Sequence, residues 1–282
     1  MTVVIPHFNA ERFIPACVDS VLSQTTPPRE IILVDDGSEP SSFQALRTLQ
    51  HRLFAAHGGA DGPGGIRLVI TRLARRSFPG RARNLGAALG TQPFIAFQDA
   101  DDLWEAAKLE RQVSLMDAWP QLAATHTDVV LFNEVGAEHR PFLGALQLDV
   151  DNALLRPPIA TPSLVIRRDV FDRLGGFDES LRRTQDWDLH IRLALAGYVV
   201  QRLPVPMVRV RRQDHGHHSA HWRGYLTGHL RVVWKHRATY VQRGGWTALA
   251  RSVALDLRMA GLKRGGLLGS FLRLPARVGL GA

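Results

Sequence analysis

The chain has 282 residues, 45% of them hydrophobic, enough for one sizeable core or a core with an appendage and unlike a disordered polypeptide. Its single cysteine, Cys17, excludes an internal disulfide and suits a reducing compartment. The net charge of +9 is uneven: residues 205–282 carry 14 Lys and Arg against two acidic residues, whereas residues 1–204 carry 21 basic and 24 acidic ones, so a near-neutral body precedes a basic tail that favours an anionic partner.

The opening "MTVVIPHFNAERF" lacks a basic region followed by a long apolar one, so no secretory signal is expected. Thr2 to Ile5 is a β-branched run stopped by Pro6, which predicts a buried strand. Glu11 to Gln24 places Phe13, Ile14, Cys17, Val18, Val21 and Leu22 at helical spacing, and Pro27-Pro28 closes that helix. A second strand, Glu30 to Val34, ends in Asp35-Asp36-Gly37-Ser38. Ser42 to Leu53 reads as a helix, His57 to Gly65 as a glycine-rich loop, and Ile66 to Thr71 as a third strand. Arg81 to Leu89 is a helix stopped by Gly90, and Phe94 to Gln98 is the fourth strand.

Alternating strands and helices predict an α/β fold with a mostly parallel sheet. Ligands of such sheets gather at the carboxyl ends of the strands. Three of those ends are chemically distinctive here: Pro6-His7-Phe8-Asn9, Asp35 to Ser38, and Asp99-Ala100-Asp101-Asp102. In the second half Lys108 to Ala118, Asp169 to Leu174 and Asp186 to Ala196 read as helices. Ala123 to Phe132, Ser163 to Arg167, Val199 to Leu203 and Met207 to Val210 read as strands, and residues 135–158 carry no readable pattern. From His221 onward the pattern is helical and basic, interrupted at Gly244-Gly245 and Gly265-Gly266. No apolar run reaches about 18 residues, so no membrane-spanning helix is expected.

Asp99, Asp101 and Asp102 put three carboxylates within four residues at the mouth of the core. Like charges that close raise one another's pKa unless a cation intervenes. A continued extended path would put Asp99 and Asp101 on one face. A hard divalent cation, Mg²⁺ or Mn²⁺, suits such oxygen ligands and shares them with a phosphate, which implies a nucleoside diphosphate leaving group. The alternative for this run is a cap on the following helix, with Asp102 as the capping residue. At Asp35-Asp36 the functional reading is a carboxylate accepting from a nucleobase N–H or ribose hydroxyls, against a plain strand-to-helix turn. Phe8 would form an aromatic wall beside the base, against a place in the core.

Four stretches in order, "TVVIPHFNAERFIPACVDSVLSQTTPPREIILVDDGS", "RARNLGAALG", "PFIAFQDADDLW" and "LGGFDESLRRTQDWDLHIRLALAG", resemble family 2 glycosyltransferases of GT-A fold, from about Thr2 to Arg212. The resemblance implies a GT-A, Rossmann-like, mostly parallel central sheet flanked by helices, with a basic helical C-terminal extension. It implies a catalytic domain over residues 1–212, with a nucleotide-binding half (1–104) and an acceptor-binding half (105–212), followed by a basic helical region over 213–282. The nucleotide sugar would be held by Pro6, Phe8, Glu11, Asp35, Asp36, Arg83, Asn84, Asp99, Ala100 and Asp101. Asp101, Asp99 and Asp102 would hold Mg²⁺ or Mn²⁺.

An inverting transfer needs a carboxylate to take the acceptor's proton. The family shows Glu-Asp where this chain has Gln185-Asp186, so the resemblance gives the base role to Asp186. An N-cap is the alternative for Asp186, and Asp188 is expected to pair with Arg192 at i+4. Trp187 would line the acceptor pocket or belong to the core. Six of the 12 histidines fall between His215 and His236, but with no cysteine near and arginines around them a zinc cluster is disfavoured. Related enzymes close a loop here over the diphosphate, which makes Arg211, His215 and His217 candidates, His215 also toward the metal.

The tail mixes Trp234, Trp246 and leucines with Arg and Lys, which favours contact with an anionic membrane surface over packing on the body. The chain is thus expected to be cytoplasmic, with the tail as a candidate peripheral attachment to the inner face of the plasma membrane, using a UDP-, GDP- or dTDP-linked sugar and a glycan or lipid-linked acceptor. Two alternatives are a nucleotidyltransferase of similar fold and a non-catalytic nucleic-acid-binding protein. The first lacks its glycine-rich basic loop after the first strand. The second rests on the basic pI, yet no nucleic-acid motif is present, and no nucleic-acid partner is expected.

Overall fold

The computed structural model describes residues 1–57, 65–133, 138–142, 147–211 and 222–264. They fall into two compact units, Met1–Asp214 and His215–Ala282. In the first unit, β1 (Thr2–His7), β2 (Glu30–Asp35), β3 (Arg67–Arg72) and β4 (Phe94–Phe97) run parallel in the order β3-β2-β1-β4. Helices α1 (Ile14–Leu22), α2 (Pro40–His57) and α3 (Phe78–Leu89) provide the crossovers. β2 and β4 are buried at every position, and β1 at all but Pro6, because both sheet faces are covered. That is why these strands read as unbroken apolar runs. α1 buries Ile14, Cys17, Val18 and Val21, one stripe at helical spacing, in the larger of two apolar clusters. α3 packs on the other face, where Ala82 meets Ile32 and Val34. Gly86 lets it approach closely, since a Cβ there would lie 2.3 Å from Val4 Cγ1.

The sheet continues beyond β4 as β8-β6-β9-β5 with mixed strand directions. β8 (Val165–Arg167) is antiparallel to both β4 and β6 (Leu122–Phe132), while β9 (Val199–Arg211) is parallel to β6. β5 (Leu103–Trp104) pairs antiparallel with β9, and β7 (Glu138–Phe142) pairs with β6 off the main path. The two short strands expected at 199–203 and 207–210 are one 13-residue strand. Pro204 and Val205 are absorbed in a register shift, with Leu203 opposite Thr127 and Pro206 opposite Asp128. The expected strand from Ser163 starts two residues later, after a 3₁₀ turn over Thr161–Ser163. α4 (Lys108–Ala118), α5 (Val150–Leu155), α6 (Arg168–Arg173) and α7 (Gln185–Leu195) complete this half. α5 falls inside the stretch without a readable pattern, and Asp149 and Asn152 close it with a reciprocal capping box.

The second unit contributes α8 (Trp222–Lys235) and α9 (Arg237–Arg264), the latter kinked at Gly244 and Gly245, as that glycine pair predicts. No helix among the described residues is long and apolar enough to cross a membrane.

Candidate active site

The ends of β1, β2 and β4 open on one cavity of about 320 Å³. Pro6, Phe8, Asp36, Arg83, Asp99, Ala100 and Asp101 of the expected donor site line it, joined by Phe13 and Arg76. A second cavity, of about 340 Å³, is lined by Asp102, Thr161, Arg182, Arg183, Thr184, Gln185 and Asp186. Pro79, Arg83 and Asp99 belong to both walls, so the two cavities adjoin across them. Arg83 donates from Nη2 to Asp99 Oδ1 at 2.5 Å, with the arginine itself buried.

Several acidic residues of the motifs act within the fold. Asp35 is fully buried: its Oδ1 meets His7 Nδ1 at 3.1 Å, and its Oδ2 meets Arg72 Nε at 3.1 Å and the Ser38 amide at 3.3 Å. Despite burial, those bonds hold its carboxyl below the usual range. It does not line the donor cavity; its neighbour Asp36 does. Asp36 accepts the Ser77 amide at 2.6 Å at the start of α3, while burial raises its pKa. Gly37, at φ +73, makes this turn possible, because a Cβ would sit 2.6 Å from the Arg76 nitrogen. Glu11 is exposed, accepts from Ser42 Oγ at 2.5 Å and lies off the cavity wall. Asn84 also lies off it: its side chain accepts from the Phe177 amide at 2.9 Å and donates to the Phe177 carbonyl at 2.8 Å, tying α3 to the 176–179 loop.

The acidic run after β4 does not stay extended. Asp102 N–H bonds the Asp99 carbonyl at 3.1 Å, and Gln98 Nε2 bonds the Asp102 carbonyl at 2.8 Å, closing a turn. Asp99 and Asp101 therefore do not share a strand face. Asp102 is not a helix cap either, since α4 starts at Lys108 behind Ala107. Instead its Oδ1 accepts the Arg211 N–H at 2.8 Å. Arg211 Nε also donates to the Asp101 carbonyl at 3.1 Å, so this candidate loop arginine is anchored on the turn itself. His215 and His217 lie outside the described residues.

Burial first, then the neighbouring Asp99, raises the Asp101 pKa, and burial with both neighbours raises Asp102 well above the usual range. Among the described residues no group of three or more His, Cys, Asp or Glu could cage a metal unaided. Mg²⁺ and Mn²⁺ need no such cage, since one or two carboxylates with phosphate oxygens and water suffice. Asp101 fits that role. It lines the first cavity, and burial beside Asp99 raises its carboxyl, a penalty on the ionised form that a hard cation would offset. Asp99 lines the same wall, but Arg83 already holds one of its oxygens. Asp102 fits poorly, being tied to Arg211 and turned to the other cavity.

Asp186 lies in the first turn of α7, half-buried, with Oδ2 accepting from Thr161 Oγ1 at 3.3 Å and Oδ1 from the Trp187 amide at 2.9 Å. It is not the N-cap, a position held by Thr184. Trp187 is core, fully buried, and donates from Nε1 to the Ala153 carbonyl at 2.6 Å. Asp188 pairs with Arg192 at 2.8 Å, as its i+4 spacing predicts. One turn after Asp186, His190 is fully buried with neither ring nitrogen hydrogen-bonded, and burial lowers its pKa to about 4, keeping the imidazole neutral.

Sequence reasoning passed over Arg76, Phe78, Thr161, Arg182 and Arg183. Arg76 lies 4.0 Å from the centroid of Phe8 and 5.3 Å from that of Phe78, and Arg182 lies 5.0 Å from Phe78. The Arg-Arg pair just before Gln185-Asp186 was visible in the sequence as a signal; the placement of Thr161 was not.

A family model for glycosyl transferase family 2 matches residues 2–175. The chain belongs to that family. A second model, glycosyltransferase like family 2, matches residues 155–242. The amylovoran biosynthesis glycosyltransferase AmsE of Erwinia amylovora is 28% identical over 213 residues, 74% of this chain and 75% of the relative. The UDP-Glc:alpha-D-GlcNAc-diphosphoundecaprenol beta-1,3-glucosyltransferase WfgD of Escherichia coli is 33% identical over 117 residues, 41% of this chain and 40% of the relative. In structure, the mannosyltransferase PcManGT of Pyrobaculum calidifontis, solved with GDP-Man and Mn²⁺, superposes with a TM-score of 0.63 at 20% identity, over 96% of this chain and 77% of that one. This family 2 enzyme is a glycosyltransferase with the GT-A fold, and its relatives act in polysaccharide and lipid-linked glycan biosynthesis.

Proposed function

We propose that this glycosyltransferase moves one sugar, with inversion at the anomeric carbon, from a nucleotide-sugar donor to a hydroxyl of a glycan or lipid-linked acceptor, with Mg²⁺ or Mn²⁺. The observation that carries the reading is the pair of adjoining cavities: one walled by aromatic rings and the acidic turn, the other holding Asp186, with Arg83 and Asp99 between them. In the first, Phe8 and Phe13 offer apolar walls for a base, Asp36 offers acceptor oxygens, and Asp101 offers the metal ligand. In the second, Asp186 receives the acceptor's proton as the hydroxyl attacks, and Thr161 orients the carboxylate. A bound divalent cation would offset the charge that develops on the departing diphosphate.

The second unit would lie against an anionic membrane surface on the cytoplasmic side. Residues 222–254 carry six Arg and Lys and no Asp or Glu, and Trp234 and Trp246 are 66% and 73% exposed. Indole rings beside cations suit a lipid headgroup layer.

The test is a thermal-shift series with UDP, GDP and dTDP, each with and without Mn²⁺. A fitting nucleotide at 100 times its Kd should stabilise by about 2.7 kcal/mol, roughly 5–10 °C here. That gain should require Mn²⁺ and disappear in Asp101→Asn. No shift with any nucleotide, or an undiminished shift in Asp101→Asn, would overturn the reading.

A further inference from the structure

The acceptor-side cavity carries more positive charge than a neutral sugar needs. Arg182 and Arg183 both line it, both are exposed, and neither has a carboxylate partner among the described residues. Of the other charged groups in that wall, Arg83 is neutralised by Asp99, and Asp102 is buried and tied to the Arg211 amide. Position 185 is a glutamine, buried, with Oε1 unpartnered. Asp99 is partly exposed but paired with Arg83, so Asp186 stands as the one half-exposed carboxylate of that lining without a cationic partner, alongside two guanidinium groups.

Arg182 is anchored, and Arg183 adjoins a constrained turn. Arg182 stacks on Phe78 at 5.0 Å from the ring centroid. Phe78 has φ +69 and Thr184, directly after Arg183, has φ +61, conformations that bulky and β-branched residues rarely adopt. Among the described residues only Asn9 shares this feature outside glycine, and Asn9 lines the donor cavity. Backbone strain of this kind persists where surrounding structure fixes a functional geometry. Here it constrains the ring on which Arg182 stacks and the backbone next to Arg183, at the rim of the Asp186 cavity.

We infer that Arg182 and Arg183 bind a phosphate group carried by the acceptor. A guanidinium fork matches phosphate oxygens in bidentate fashion, which a sugar hydroxyl cannot reproduce. Arg183 stands three positions before Asp186, so their backbones lie at most about 10 Å apart. The phosphate therefore sits close to the reacting hydroxyl, as in an acceptor whose sugar is joined directly to a lipid diphosphate. The donor's own diphosphate is the other source of the same chemistry. It is disfavoured because Arg182 and Arg183 line only the Asp186 cavity, while Arg76 lines only the other one and Arg83, paired with Asp99, lines both. This inference rests on the glycosyltransferase reading with Asp186 on the acceptor side.

The test uses calorimetric titration of the full chain with two probes, GlcNAc-diphospho-undecyl lipid and the neutral octyl GlcNAc glycoside, alongside UDP or GDP with Mn²⁺. The diphosphate probe should bind at least tenfold more tightly than the glycoside. The double variant Arg182→Ala/Arg183→Ala should lose that advantage while its nucleotide Kd stays within twofold. Gln185→Glu, which adds a negative charge, should weaken the diphosphate probe severalfold and leave the glycoside unaffected. Equal binding of both probes, or of neither, by a wild-type chain that still binds nucleotide would overturn the inference alone. Loss of nucleotide affinity in the double variant would assign the arginines to the donor and also overturn it. Absence of nucleotide binding in the wild type would instead strike the glycosyltransferase reading beneath it.

Discussion

The two halves of the sheet treat their carboxylates in opposite ways. On the parallel side, β3-β2-β1-β4, acidic residues at the strand ends are largely engaged by the fold: Asp35 by His7, Arg72 and Ser38, Asp36 by the start of α3, Asp99 by Arg83. On the mixed side Asp186 has one hydroxyl and one amide and faces a cavity. An acidic motif is therefore a poor guide to which of its oxygens meet a ligand. The parallel side holds a preset scaffold that presents few groups, and the mixed side leaves the carboxylate proposed as the base open to its cavity.

That contrast can be broken most sharply at Asp186. Asp186→Asn should lower kcat by about 10²–10⁴ with nucleotide Kd within twofold, measured by product formation and titration. A variant that instead loses nucleotide affinity would erase the division of labour. The next effect is on stability. Glu30, at the start of β2, accepts from Thr2, the Thr91 amide and hydroxyl, and Arg67; burial alone would raise its pKa, yet these bonds bring it to about 2. A carboxyl lower in the folded than in the unfolded state stabilises above its unfolded value, and the contribution fades as pH falls toward 2. Glu30→Gln should cost about 3 kcal/mol at pH 7 and almost nothing at pH 2, by urea unfolding at both.

The smallest effect runs the other way. Asp102 has its carboxyl raised by burial and by Asp99 and Asp101. Its ionised form is penalised in the folded state, so the wild type is destabilised as pH climbs through the folded value and unpenalised below about pH 4. Asp102→Asn, which keeps an oxygen for the Arg211 amide, should gain roughly 1 kcal/mol in EDTA at pH 8 and nothing at pH 4. A loss at pH 8 would mean that the fold itself needs the carboxylate ionised, in its bond from the Arg211 amide.

The same division decided what the sequence revealed. β1, β2 and β4 were legible because both of their faces are covered, and their ends mark the cavity proposed for the donor by chain order alone. β9 was read as two strands because Pro204 and Pro206 normally end one, and only pairing with distant β6 carries it through. β5 has two residues, too short for any periodicity, and its partner β9 lies far along the chain. Asp186 was found through the motif around it. Thr161 was not, because a 3₁₀ turn 25 residues earlier brings it there. The fate of Asp35 and Asn84 was equally hidden: a polar residue beside a ligand and one that ties two segments together look alike in a single sequence.

One ion pair, Arg83 with Asp99, is a party wall between two rooms. Any occupant that pulls on one side of it alters the charge felt on the other. By reciprocity, whatever a nucleotide does to the acceptor's grip, the acceptor must do equally to the nucleotide's. Cooperativity between two occupants can thus be built into a single salt link, without a moving domain.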